Sequence, residues 1–246
     1  AEGVFEVVSY TSRHNGTLTD ATLEEMTNLV DVWTDRFREL GSLGFVDYVL
    51  IFENKGKDIG VTLFHPHGQI YAFPYIPPKP QRELDSAARH KARTGRCLFC
   101  DIIAEEQKDG RRVVVENDSF FAAIPFFARF PYEVYIFSKQ HHQTMLTFSD
   151  QERADLANIL KIVLLKYDNL WDMSLPYMMI MHQAPTDGRI ADGFHFHIEF
   201  HPPLRPRDQF WRGARLAVRG GPEGEVFLPV LYVGSESEAD ERLRLG

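Results

Sequence analysis

The chain has 246 residues, 44% of them hydrophobic and 25% charged, with a formal net charge of -8. That size and balance fit one large globular domain or two small fused ones, and the acidic surplus argues against a general nucleic-acid binder. No apolar run approaches the length of a membrane span and Ala1-Glu2-Gly3 opens no signal peptide, so a cytoplasmic protein with no membrane partner is expected.

Val4 to Tyr10 is rich in β-branched and aromatic residues and reads as a strand. A helix follows from Thr22, which has the capping-box spacing with Glu25, and Met26, Leu29, Val30, Trp33 and Phe37 fall on one face. Tyr48 to Phe52 is a continuous apolar run and reads as a buried strand, leading through Glu53-Asn54-Lys55-Gly56 to His65-Pro66-His67-Gly68-Gln69. His65, His67 and Gln69 project to the same side of an extended segment. Pro66 removes a backbone donor, and Gly68 lets a ligand approach the main chain. Such a stretch is either a hydrogen-bonded surface pair or a reactive histidine at a phosphate-binding strand end.

The same order of elements returns further along. Phe5 to His14 matches Tyr132 to His141 without a gap at an offset of 127, and Ser149 with Glu152 repeats the capping box. Leu156, Ile159, Leu160, Val163 and Tyr167 repeat the apolar stripe. Tyr177 to Met181 stands where Tyr48 to Phe52 stood, at an offset of 129, and His195 and His197 answer His65 and His67 at 130. The second copy also carries Cys97-Leu98-Phe99-Cys100 and two expected strands, 112–116 and 120–124, ahead of its Tyr132. By the repeat logic a first-copy Cys-x-x-Cys falls about thirty residues upstream of Ala1, supplied by a longer N-terminus or by a partner chain. The proline-rich and basic stretch from Pro77 reads as the connection between copies. The expected division is a first repeat at 1–80, a linker at 81–95, and a second repeat with a C-terminal extension at 96–246.

Cys97, Cys100, His141 and His195 make up a standard tetrahedral zinc set, two thiolates and two imidazoles, and the alternative is a pair of small buried hydrophobes beside unrelated histidines. His14 and His65 hold the corresponding places in the first copy. The second histidine, His67, is then the candidate nucleophile, able to hold a phosphoryl group as a phosphoramidate once its other nitrogen is fixed by an acceptor. Gln69 can donate to a phosphate oxygen. Glu199 replaces that amide in the second copy, where a carboxylate would repel phosphate, so His195 to Glu199 is expected to be structural.

Phe52-Glu53-Asn54-Lys55-Gly56 followed by His65 to Ala72 resembles the galactose-1-phosphate uridylyltransferase family of the histidine-triad superfamily, over most of the chain from Phe5 to Pro203. The resemblance implies an α+β fold of two fused histidine-triad-like repeats, each an antiparallel sheet with one main helix. It implies a homodimer that passes a uridylyl group from UDP-glucose to galactose 1-phosphate through a uridylyl-histidine intermediate. In that family His67 is the nucleophile and Gln69 binds phosphate. Phe52, Asn54, Gly60 and Thr62 lie on the nucleotide-binding stretch, and His14 and His65 are zinc ligands. Some members hold a further metal through positions matched by Glu83, His182 and His197, but Glu199 stands where the last histidine belongs. Gly234 and Glu236 resemble a hexose-contacting segment, while His142 and His201 are assigned ordinary surface or supporting roles. The alternatives are an adenylyl-transferring relative like ADP-glucose phosphorylase, a histidine-triad hydrolase, disfavoured by Gln69, and a non-catalytic nucleotide-binding subunit.

Overall fold

The computed structural model describes residues 2–13, 15–61, 63, 65–170 and 174–203. His14, Thr62, Gly234 and Glu236 therefore lie outside the described residues. The first half contains strand β1 (Val4–Ser9), helix α1 (Leu23–Gly41), and strands β2 (Tyr48–Lys55) and β3 (His67–Phe73). Helix α1 starts as its sequence predicts: the Thr22 hydroxyl accepts from Glu25 N at 3.1 Å, and Thr22 N donates to the Glu25 carboxylate at 2.7 Å.

Next come helices α2 (Pro78–Thr94) and α3 (Leu98–Asp109), the short strands β4 (Val113–Glu116) and β5 (Phe120–Ala123), and strand β6 (Val134–Ser138). Helix α4 (Asp150–Asp168) and strands β7 (Tyr177–His182) and β8 (His197–His201) complete the described chain. The stretch read as a linker is thus helical. Its prolines, Pro78 and Pro80, sit in the first turn, where a missing N–H costs nothing. Pro80, Leu84 and Ala87 are its buried side chains, Leu84 packing with Ala184 and Phe194.

All eight strands join one antiparallel sheet in the order β1-β3-β2-β7-β8-β6-β5-β4. The two halves meet where β2 pairs with β7, Phe52 opposite Ile180. This pairing corrects the register read from the sequence. Val7 and Phe52 lie opposite Gln69, while Tyr135 and Ile180 lie opposite Glu199. Val7 therefore corresponds to Tyr135 and Phe52 to Ile180, an offset of 128 in place of 127 and 129. A slip of one residue exchanges the two faces of a strand. Val7 is 69% exposed, whereas Val134, its partner in the gapless match, is fully buried on the other face. Apolar runs that fill both faces carry too little alternation to fix that phase from sequence.

Helices α1 and α4 cover one face of the sheet through the predicted stripes, Met26, Leu29, Val30, Trp33 and Phe37 facing Leu156, Ile159, Leu160 and Val163 in one core. On the opposite face α3 covers the second half, packing Phe99 and Ile103 on Tyr135 and Phe137. The first half of that face presents His67, Gln69 and Tyr71 half-buried, with Phe5 and Val7 exposed. Lys55 pairs with Asp168 at 2.7 Å and so ties a first-half strand to the second-half helix.

Candidate functional site

His67 opens β3, and its Nδ1 lies 2.7 Å from the carbonyl oxygen of His65. A carbonyl only accepts, so Nδ1 carries the proton and Nε2 keeps its lone pair. The backbone two residues upstream thereby selects the tautomer. Gln69 follows on the same face, and its Oε1 accepts from the Tyr71 hydroxyl at 2.8 Å. That bond orients the amide so that its two N–H donors remain for a ligand. The Tyr71 ring is held edge-on between Phe5 and Phe52, with centroids at 4.7 and 4.9 Å.

Phe52 lies directly opposite Gln69, and Asn54 stands two residues further along the same face of β2, half-buried. Gly60 closes a 3-10 turn over Lys57–Ile59 at φ 86°, a left-handed conformation that favours glycine. Gly68 answers a different need. A Cβ there would come 2.0 Å from the Tyr10 hydroxyl, and Tyr10 N also donates to Pro66 O at 3.0 Å. Tyr10 is thus wedged beneath the segment that carries His67 and Gln69.

Cys97, Cys100, His141 and His195 converge, with one donor atom from each lying within 4.8 Å of the others. Cys97 caps α3, Cys100 sits in its first turn, and the two histidines come from loops beside β6 and β8. Sulfur to nitrogen separations are 3.4 Å for Cys100 to His195, 3.6 Å for Cys100 to His141 and 3.8 Å for Cys97 to His195. A tetrahedral ion with ordinary metal–thiolate and metal–imidazole bonds would separate such atoms by about 3.6 Å. His195 Nε2 donates to Ser138 O at 2.7 Å, which turns the unprotonated Nδ1 toward the sulfurs. The donor set therefore fits a metal. A hydrogen bond from Cys100 pulls the Cys97 thiol below its ordinary range, and the same contact, with burial, pushes Cys100 up.

A second group, Glu83, His182, His197 and Glu199, also brings its donor atoms within 4.8 Å. Glu199 is 1% exposed, and against the penalty of burial His182, His197 and His201 hold its carboxyl well below the usual range. Burial alone would lower the His182 imidazole, but Glu199 and Glu83 outweigh it and push it up to about 9. Sequence reasoning gave no role to Lys79, which contacts Glu199, and placed His201 only generically. His201 Nε2 meets Glu199 Oε2 at 2.7 Å. The period-two spacing of Glu199 and His201 on β8 was a signal for His201, whereas nothing local signals Lys79, because α2 and β8 are remote in sequence. His65 lies half-buried beside His67 and offers its carbonyl to that ring.

The family model described as galactose-1-phosphate uridyl transferase, C-terminal domain, matches residues 83–208, and its N-terminal domain counterpart matches residues 1–77. The chain belongs to the galactose-1-phosphate uridyl transferase family. An ImpE protein model also matches residues 196–246. Among members of the uridyl transferase family, the galactose-1-phosphate uridylyltransferase of Thermotoga maritima is 44% identical over 210 residues, covering 85% of this chain and 65% of the relative. The chain thus spans just under two thirds of that relative's length. A solved uridylyltransferase structure matches with a TM-score of 0.79 at 36% identity, over 83% of this chain and 65% of that one. An ADP-glucose phosphorylase from Arabidopsis thaliana with bound ADP-glucose matches at 0.76 and 25% identity, over 87% and 68%. Among the described residues no helix is long and apolar enough to cross a membrane.

Proposed function

We propose that the chain carries the catalytic histidine of a UDP-glucose–hexose-1-phosphate uridylyltransferase. In the first step His67 Nε2 attacks the phosphorus that bears uridine, an N–P bond forms, and the P–O bond to glucose 1-phosphate breaks with its electron pair on the departing oxygen. In the second step a phosphate oxygen of galactose 1-phosphate attacks the same phosphorus and the lone pair returns to Nε2. The observation that carries this reading is the 2.7 Å hydrogen bond from His67 Nδ1 to His65 O, which leaves Nε2 as the only nucleophilic nitrogen.

Gln69 donates its free amide hydrogens to a non-bridging phosphate oxygen and stabilises the charge that builds there. Phe52 and Asn54 on the neighbouring strand, with Gly60 and Thr62, form the nucleotide-binding stretch. Cys97, Cys100, His141 and His195 hold zinc, the metal that two thiolates and two imidazoles favour; its task is to pin α3 to the loop before β8. His14 and His65 are this sequence's share of a second zinc site. The two repeats divide at 1–80 and 96–246, and the working protein is a cytoplasmic homodimer. The likeness to ADP-glucose phosphorylase favours one second reading, adenylyl transfer by the same histidine, since the motif fixes the histidine chemistry and not the base.

Incubation with UDP-glucose or ADP-glucose followed by intact-mass measurement decides between the two. A uridylyl adduct that disappears in His67→Ala supports the proposal, an adenylyl adduct shifts it to the second reading, and no adduct from either refutes both.

A further inference from the structure

Lys79 stands between the two carboxylates of the Glu83, His182, His197, Glu199 group. Its ammonium contacts Glu199 and lies 3.9 Å from Glu83 Oε1. Some family members hold a metal at the positions matched by Glu83, His182 and His197, with Glu199 here in place of the last histidine, and the donor atoms of the four are near enough to one another to surround an ion. A divalent ion placed there would rely on those two carboxylates as its anionic ligands and would sit within a few ångströms of a fixed positive charge.

One oxygen of each carboxylate is also already occupied. Glu199 Oε2 receives Lys79 and, at 2.7 Å, His201 Nε2, and it faces His182 Nε2 at 3.4 Å. One carboxylate oxygen has two lone pairs, so Oε2 has none to spare. Glu83 Oε2 is held by His182 Nδ1 at 2.7 Å. A ligating histidine normally gives one nitrogen to the metal and the other to an outer acceptor. His182 instead gives Nδ1 to Glu83, a carboxylate that would itself have to be a ligand, while its Nε2 faces Glu199 Oε2 at 3.4 Å without a hydrogen bond. The donor set is that of a metal site, but a lysine ammonium lies among its carboxylates and its shortest contacts are ion pairs.

Sequence and burial explain why a lysine is present. A glutamate buried as deeply as Glu199 requires a compensating charge. Lys79 lies in the first turn of α2, the helix that the two early prolines start, and this sets its side chain over β8. Where the last histidine of the family pattern is replaced by a carboxylate, a cation must come from somewhere, and this chain carries one of its own.

We propose that the Lys79 ammonium takes the place of a second metal ion, making this group a metal-free ion-pair network that fastens α2 to β7 and β8. The contrast is with the Cys97, Cys100, His141, His195 group, whose sulfur and nitrogen separations suit an ion.

Titration of the full protein with Mn2+, followed by the electron paramagnetic resonance signal of the free ion, tests this directly, because manganese prefers carboxylate and imidazole over thiolate. The wild-type protein is expected to leave all Mn2+ free at micromolar concentrations, and Lys79→Met, checked for fold by circular dichroism, is expected to take up one equivalent. Uptake of one equivalent by the wild type that is lost in His182→Ala overturns the proposal. A folded Lys79→Met that takes up none overturns the assignment of the excluding charge to Lys79. The wild-type arm needs no variant and stands even if Lys79→Met does not fold.

Discussion

Gln69 and Glu199 lie on one cross-strand row of the sheet, with Phe52 and Ile180 as the residues between them. They are the equivalent positions of the two repeats, one an amide with spare donors and the other a carboxylate closed into an ion-pair network. If Gln69 receives phosphate as proposed, a carboxylate at its position would repel it. Gln69→Glu is expected to slow formation of the His67 adduct by far more than Gln69→Ala, with at least a tenfold gap for ~1.4 kcal/mol of added repulsion. Rapid-quench measurement of adduct formation checks this; equal rates for the two variants would remove Gln69 from the phosphate site.

Gly68→Ala is expected to destabilise the fold by about 1–3 kcal/mol, the usual range for overpacking a filled site. The added Cβ meets the Tyr10 hydroxyl at 2.0 Å. Tyr10→Phe removes that oxygen and leaves ring carbons at 2.8 and 3.1 Å, so the double variant should recover part of the loss. Urea unfolding of the four proteins measures the coupling. Additive losses would show that Tyr10 does not wedge beneath Gly68.

Helices α1 and α4 were legible because periodicity and capping boxes are local, whereas α3 was not read as a helix. The stripes of α1 and α4 pack where their spacing puts them, and Thr22 and Ser149 start both helices. The four residues Cys97, Cys100, His141 and His195 also converge as their chemistry suggested. Strand phase was not legible: Val7 and Val134 look alike in sequence yet sit on opposite faces, and only pairing with β3 and β8 tells them apart. Helix α2 was hidden because Pro78 and Pro80 read as breakers, although in a first turn they act as a start. The Lys79–Glu199 contact joins residues 120 positions apart, and no spacing rule reaches that far.

Stability should fall with rising pH through the window set by Glu53. This carboxyl is 4% exposed, and burial pushes it up to about 8 from an ordinary 4.5 against the opposing pull of the Tyr177 hydroxyl and Lys55. Between those values the folded chain holds a proton that the unfolded chain has lost, so each pH unit costs ~1.4 kcal/mol. Tyr10, which faces the same carboxyl, stays neutral because burial, and then Glu53, raise it further. Glu53→Gln is expected to flatten the melting temperature against pH between about 5 and 8. An unchanged slope would mean that Glu53 is ionised in the folded protein.

Cys97→Ser is expected to lose one equivalent of zinc and about 4 kcal/mol of stability, the range typical of a lost metal site. Elemental analysis and chemical denaturation read the two quantities, and a chelator should reproduce the loss in the wild type. Full zinc content in Cys97→Ser would remove that cysteine from the ligand set.

If His67 attacks as proposed, the His65 carbonyl, by holding the proton on Nδ1, makes Nε2 the reactive atom. Nitrogen-15 NMR of protein labelled at histidine, trapped with UDP-glucose in the absence of hexose 1-phosphate, tests it most directly. One new phosphorus-coupled signal is expected, assigned to His67 Nε2, with Nδ1 still protonated. Coupling at Nδ1, or at any other histidine, would contradict it.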